Sequence, residues 1–295
     1  MTVNANNACY KSANMDGSVN TGTTEQYNVK ARTLVTSEAS ASAVSEQAVA
    51  TRFSKAAGQY DSIANIQKRI AQQCLSYLPE NLEGSALDIG CGTGMHTNTL
   101  SVRGANAIGV DIAQGMLDVA ANSFNNVKFV NASAQALPFE ANSVHTVFSS
   151  MALQWSSSPL LVAQEIQRVL AKEGIAELAI MVSGSFAELQ NARKVAQLPQ
   201  ANTPMPSTSD WVSAFQKSSL TLSRVITKDY VDTHSSLMQL LRSVKGVGAG
   251  ETGNKQPSLS RRDIKKLAMA YQNISGVDGE LPLTYRVSHF RLVKQ

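Results

Sequence analysis

The stretch Ala86–Leu100, "ALDIGCGTGMHTNTL", decides the fold. An apolar run ends in Asp88, and three glycines, Gly90, Gly92 and Gly94, follow at alternate positions before a helix-like segment. Strand, bare loop and helix in that order form the opening unit of an open α/β sheet, and ligands of such sheets sit at the carboxyl ends of the strands. Three ligand types suit so bare a main chain: a phosphate, a dinucleotide and a sulfonium cofactor. A phosphate loop needs GxxxxGK[ST], and no Lys follows here. A dinucleotide fingerprint needs GxGxxG, whereas this loop reads GxGxG. Asp111, next to last in the run "AIGVDI", is an acid placed to accept from ribose hydroxyls, which nicotinamide dinucleotides and S-adenosylmethionine share.

Outward from the loop, strands and helices alternate. Strands are expected at 85–90, 105–112, 127–133, 142–150 and 174–181, with helices near 95–102, 114–123 and 159–170, the last starting at Pro159 as helices favour. This alternation predicts a mostly parallel sheet covered on both faces. Upstream, residues 52–79 carry apolar or small side chains at intervals of three and four up to Pro79, an amphipathic helix or helix pair. Downstream, 210–217, 235–245 and 260–271 read as helices. The β-type runs 220–231 and 281–293 are expected to pair antiparallel at one edge. The glycine-rich "GVGAGETGNKQPS" joins two of those helices and reads as a mobile linker.

Residues 1–50 are rich in Asn, Ser, Ala and Thr and poor in bulky apolar groups, too few to offset the entropy of ordering. They are expected to be a disordered extension, with helix from about Ser37, ahead of a domain at 51–295. Apolar residues are 43% of the 295, enough for a sizeable core, and the net charge of +4 is too small to argue nucleic-acid binding. Cys9, Cys74 and Cys91 follow no metal or disulfide spacing. They point to a reducing, cytoplasmic setting, and Cys91 reads as a small residue that fits its loop. No secretory signal and no membrane-length apolar run is seen. His96, His145, His234 and His289 are scattered, suggest neither metal site nor triad, and are given no catalytic role.

"DIGCGTG", "GVDIAQGML" and "ALPFEANSVHTVFSSMALQW" together, across Leu87–Met181, resemble the class I S-adenosylmethionine-dependent methyltransferases. The resemblance implies a Rossmann-like fold with a mostly parallel seven-stranded sheet, helices on both faces and an antiparallel edge strand. It implies a glycine loop whose Gly90, Gly92 and Gly94 admit the methionine part of the cofactor. Asp88 is expected to hold that loop and reach the methionine ammonium, and Asp111 to take the ribose hydroxyls. Ile112 and Met116 then flank adenine. Ser133 and Gln135 stand where many relatives carry an acid that meets the adenine amine, so the main chain at Ala134 is expected to serve. Ser149, Ser150 and Met151 line the methyl-donor end. No metal is implied.

Flanking segments resemble one subfamily, the malonyl-acyl-carrier-protein O-methyltransferases of biotin synthesis. They are "FSKAAGQYDSIANIQKRIA", "SSMALQW", "VSGSFAELQNA", "LLRSVKGVGA" and "LPLTYRV". That resemblance implies methylation of the free carboxylate of a malonyl thioester on acyl carrier protein or coenzyme A, with no nucleic-acid or membrane partner. A carboxylate with a reference pKa near 4 needs no general base. Arg242 is the expected carboxylate clamp, with Lys245 beside it. Tyr60 is expected to close over the cofactor, and Trp155 and Gln154 to stand at the site's mouth. Tyr285 reads as a core residue. A helical insertion around 233–275 is expected to cover the substrate. Arg261, Arg262, Lys265 and Lys266 share one helix side and suit docking of an acidic carrier protein; Arg193 and Lys194 are a second candidate. The alternatives are a class I methyltransferase acting on a quinone precursor or a small acid such as aconitate, a non-catalytic cofactor-binding protein, and a nicotinamide dehydrogenase.

Overall fold

In a computed structural model, residues 45–200, 205–246, 259–273 and 279–295 are described, all within one unit, Glu38–Gln295. Five parallel strands, β1 (Ser85–Ile89), β2 (Asn106–Asp111), β3 (Lys128–Asn131), β4 (Val144–Ser150) and β5 (Leu170–Met181), form most of a seven-stranded sheet of order β3-β2-β1-β4-β5-β7-β6. β7 (Leu281–Val293) runs antiparallel between β5 and β6 (Thr221–His234), so the antiparallel edge is made by β7 in the penultimate place. β6, at the border, alternates exposed and half-buried residues, as a one-sided edge strand should. β1 is buried between β2 and β4.

Side-chain alternation along the strands divides the core. On one face Ala86, Phe148, Ala179 and Tyr285 pack against α2 (Asn65–Leu75), α6 (Ala187–Val195), α8 (Leu237–Gly246) and α9 (Arg261–Gln272). On the other, Leu87, Val147, Leu178 and Phe290 meet α5 (Pro159–Val169) and α7 (Thr208–Lys217). Tyr285 is fully buried, the core residue expected.

Helix ends follow local chemistry. Ser158 caps α5 with Pro159 in its first turn, and Ser207 with Asp210 and Ser260 with Asp263 form capping boxes on α7 and α9. α3 (Met95–Val102) and α4 (Gln114–Ser123) have the expected bounds. The 52–79 segment is a helix pair, α1 (Glu46–Ile63) and α2, broken at Ala64.

α1 begins at Glu46, capped by Ser45, so it crosses the boundary expected at 51 and falls in the stretch where helix was expected from about Ser37; residues 1–44 lie outside the described residues. α6 was not anticipated, because its nine residues carry few apolar groups, and Arg193 is buried within it with its Nε donating to the Pro199 carbonyl at 2.7 Å. That bond removes Arg193 from any docking surface. α8 and α9 connect β6 to β7, and the linker between them lies outside the described residues.

Candidate active site

The loop after β1 is held from beneath by the end of β2. The amides of Gly90 and Cys91 both donate to the Val110 carbonyl, at 2.7 and 3.0 Å. Asp111 then ties the two loops together: Oδ2 accepts from the Gly92 amide at 2.9 Å and Oδ1 from the Ala113 amide at 2.8 Å. Burial raises the Asp111 carboxyl, and the amides of Ala113, Gly92 and Ile112 oppose that rise. Gly90 has φ +75°, and a Cβ there would stand 2.1 Å from the Ala152 Cβ, so the loops after β1 and β4 touch through it. Gly92 has φ +54° and faces open space. Gly94, at φ +84°, is also a packing residue: a Cβ there would meet the Phe129 ring at 2.7 Å, and it is not among the described walls of either hollow.

A cavity of about 770 Å³, open to solvent, runs across the carboxyl ends of the strands. Its walls include Gly90, Gly92, Asp111, Ile112, Met116, Ala134, Ser150, Met151, Tyr60 and Trp155, ten of the residues expected at the site. A second hollow of about 450 Å³ shares Tyr60, Gly90, Gly92 and Ser150 with it and adds Asp61, Gln67, Lys68, Thr93 and His96. α1 roofs the first cavity with Glu46, Val49, Phe53 and Tyr60. The Phe53 ring packs against Tyr60 and Trp155, with centroids 6.3 and 6.1 Å away. α1 is clamped to α4 at Gly115, where a Cβ would stand 2.6 Å from the Ser54 carbonyl oxygen and the amide donates to Ser54 Oγ at 3.1 Å.

The remaining expected residues stand elsewhere. Asp88 is 2% exposed behind the loop, where its Oδ2 accepts from Thr97 Oγ1 at 2.8 Å; it steadies α3 but is not a cavity wall. Ser149 is buried, donating to the Ile89 carbonyl at 2.7 Å, and so joins β4 to β1. Gln154 is turned inward, its Nε2 donating to the Met151 carbonyl at 2.6 Å, so it does not stand at the mouth. Ser133 and Gln135 both donate to Glu46. Arg242 and Lys245 are exposed on α8 and line neither hollow, because the buried side of that helix is Leu237, Leu240 and Val244. Arg261, Arg262, Lys265 and Lys266 are all exposed on α9, whose buried side is Leu267, Ala270 and Tyr271.

Glu46, Gln67 and Lys68 were missed from sequence: periodicity marks a helix face, not which polar residue on it meets a loop far along the chain. Gln67 is 7% exposed, and neither of its amide atoms has a hydrogen-bond partner among the described residues; the same is true of Ser150 Oγ and Trp155 Nε1. Buried polar groups are normally paired, so these mark a place for polar ligand atoms.

Carboxylates outnumber cations along the described walls: Glu46 and Asp111 line the first cavity and Asp61 the second, with Lys68 the cation of the second. Asp88 lies behind the loop, and the Arg52 guanidinium stands over the Phe53 and Trp155 rings, 5.3 and 5.0 Å from their centroids. Burial lowers His96 to about 4, leaving its imidazole neutral, and raises the Tyr60 hydroxyl, which stays protonated. Burial in the first place, and Asp111 nearby, push Asp88 up to about 7, with Thr97 opposing. A raised carboxyl binds a proton in the folded state that the unfolded chain releases, so stability falls as pH rises from about 4 toward 7. Asp88→Asn, which keeps an acceptor for Thr97, removes that penalty. Thermal unfolding without ligand is expected to show the variant gaining on the parent across this window. A difference independent of pH would contradict the raised carboxyl.

Residues 87–178 match the model of a methyltransferase domain. A malonyl-[acyl-carrier protein] O-methyltransferase of Herminiimonas arsenicoxydans is 30% identical over 79% of this chain and 90% of its own length, and one of a Marinomonas species is 31% identical over 86% and 96%. The chain belongs to this methyltransferase family. It is also 34% identical, over 87% of its length, to a biotin biosynthesis bifunctional protein BioHC of Cellvibrio japonicus, and spans about half of that relative. The YcgJ protein of Bacillus subtilis has the same fold, with TM-score 0.58 at 17% identity over 77% of this chain and 99% of that one.

Proposed function

We propose that this chain transfers a methyl group from S-adenosylmethionine to the free carboxylate of a malonyl thioester on acyl carrier protein, the first masking step toward a pimeloyl chain. The observation that carries the reading is the acidic cavity around the bare loop. Carboxylates favour a sulfonium and an ammonium and repel the pyrophosphate of a dinucleotide. The named relatives support the acceptor.

The residues present fit the cofactor. Gln67 offers one donor and one acceptor to a zwitterionic amino acid, with Ser150 Oγ between the two hollows. Asp111 has lone pairs left for ribose hydroxyls, and Ile112 and Met116 supply the apolar wall that a purine needs. Held there, S-adenosylmethionine would supply an electrophilic methyl group; its transfer to a carboxylate oxygen, with the C–S bonding pair left on sulfur, would give a methyl ester and S-adenosylhomocysteine and would need no proton acceptor from the chain.

The chain's own work is binding, orientation and exclusion of water. Tyr60, Phe53 and Trp155 roof the site with rings, which strips solvent from the incoming carboxylate. Alignment of that kind is worth roughly 7–11 kcal/mol. Arg242 enters as the carboxylate's cation on charge grounds, from its exposed place on α8, and the α9 stripe is the docking face for an acidic carrier. Assays offering malonyl-carrier protein, malonyl-coenzyme A, free malonate, aconitate and a quinone precursor test the reading; turnover is expected with the malonyl thioesters. Methylation of the small acids or quinone instead would overturn it. In the same assay Arg242→Ala is expected to lower kcat/KM by about tenfold or more with cofactor affinity unchanged. Parent-like turnover would remove the clamp.

A further inference from the structure

The cavity crosses the strand ends in order. Ser150 and Met151 follow β4, Gly90 and Gly92 follow β1, Asp111 ends β2, and Ala132 and Ala134 follow β3. At that last end stands a carboxylate that belongs to none of these loops. Glu46, in the first turn of α1, lines the cavity, and its Oε1 accepts from Ser133 Oγ at 2.7 Å and from Gln135 Nε2. Ser133 Oγ is itself fixed, accepting from the Gln135 amide at 3.1 Å. Two donors therefore hold one oxygen of Glu46, and among the described residues no hydrogen bond is made to the other.

The wall beside it is apolar, Ile112 and Met116 with Ala132 and Ala134, which suits the flat face of a base. A 6-aminopurine ring carries a single donor group, its exocyclic amine. Of the two carboxylates that line this cavity among the described residues, Asp111 stands at the end of β2 and its remaining lone pairs are assigned to the ribose, whereas Glu46 stands at the β3 end with one oxygen that accepts from no described residue. We propose that Glu46 Oε2 accepts a hydrogen bond from the exocyclic amine of the cofactor's adenine, and that the roof helix, not the strand-β3 loop, sets base specificity. This inference rests on the S-adenosylmethionine reading above.

Glu46→Gln makes a sharp test because Ser133 and Gln135 are both donors. They hold the amide oxygen toward themselves and leave its NH2 pointing at the base, where it meets an amine badly and a carbonyl well. Calorimetry on the full chain compares S-adenosylhomocysteine with S-inosylhomocysteine, which carries a 6-oxo group. The parent is expected to prefer the adenosyl ligand by about tenfold or more, Glu46→Ala to lose most of that preference, and Glu46→Gln to reverse it. Ser133→Asp added to Glu46→Ala, which returns a carboxylate from the loop side, is expected to restore the preference; a merely structural Glu46 would not be rescued so. Parent binding with the same ligand ratio in both Glu46 variants would overturn the inference alone. Failure of the parent to bind either ligand would overturn the cofactor reading and the inference together.

Discussion

Replacing Asp111 with alanine is expected to weaken S-adenosylhomocysteine binding about a hundredfold or more, read by calorimetry. Its two oxygens hold the Gly92 and Ala113 amides at 2.9 and 2.8 Å, so one side chain sets the distance between the loop after β1 and the start of α4. Charge-assisted hydrogen bonds of this kind contribute roughly 1.5–3 kcal/mol each, and their loss leaves two amides unpaired. Under the proposed cofactor reading, the ribose hydroxyls lose their acceptor in the same step. Asparagine is not a repair, since its NH2 would face one of two N–H donors, and Asp111→Asn is expected to fall close to Asp111→Ala. Affinity unchanged in either variant would remove Asp111 from the site.

The second large effect separates two glycines of the same loop. At Gly90 a Cβ would lie 2.1 Å from that of Ala152, and φ is +75°. Left-handed backbone costs an ordinary residue roughly 1–2 kcal/mol, and overpacking adds roughly 1–3 more. Gly90→Ala is therefore expected to lower the melting temperature by about 10 °C. Gly92 shares the positive φ but faces open space. Gly92→Ala is expected to cost only about 1 kcal/mol of stability while placing a methyl group where the cofactor approaches, weakening its binding about tenfold or more. The expected pattern is stability lost at 90 and binding lost at 92. Equal behaviour of the two variants in both measurements would contradict the division.

What the amino-acid sequence discloses here tracks how local each feature is. β1, its loop, α3 and α4 are written in contiguous residues: an apolar run, an acid, spaced glycines, then helical periodicity. β7 is likewise legible as one long β-type run, and its antiparallel pairing at one edge follows from the β-type run before it. Features made by distant contact are not legible in this way. Glu46 meets Ser133 and Gln135 only because α1 folds back over the sheet, joining residues 87 and 89 positions apart. Gly94 and Gly90 look alike in the sequence, yet one packs on Phe129 from β3 and the other on Ala152 after β4. Gln154 has the composition of a site-mouth residue, but a tight turn at Leu153–Trp155 spends its amide on Met151. Arg242 has the right charge for a carboxylate and stands on the exposed side of α8, an orientation that charge alone does not reveal.

The central claim is that this cavity delivers a methyl group to a malonyl carboxylate. Incubation of malonyl-acyl carrier protein with the full chain and S-adenosylmethionine bearing a deuterated methyl group, followed by intact-protein mass spectrometry, tests it most directly. The account predicts that the carrier gains one labelled methyl group, which mild base removes as expected of an ester, and that a carrier holding an acetyl thioester gains nothing. An unlabelled malonyl carrier, or a label that appears equally on the acetyl form, would contradict it.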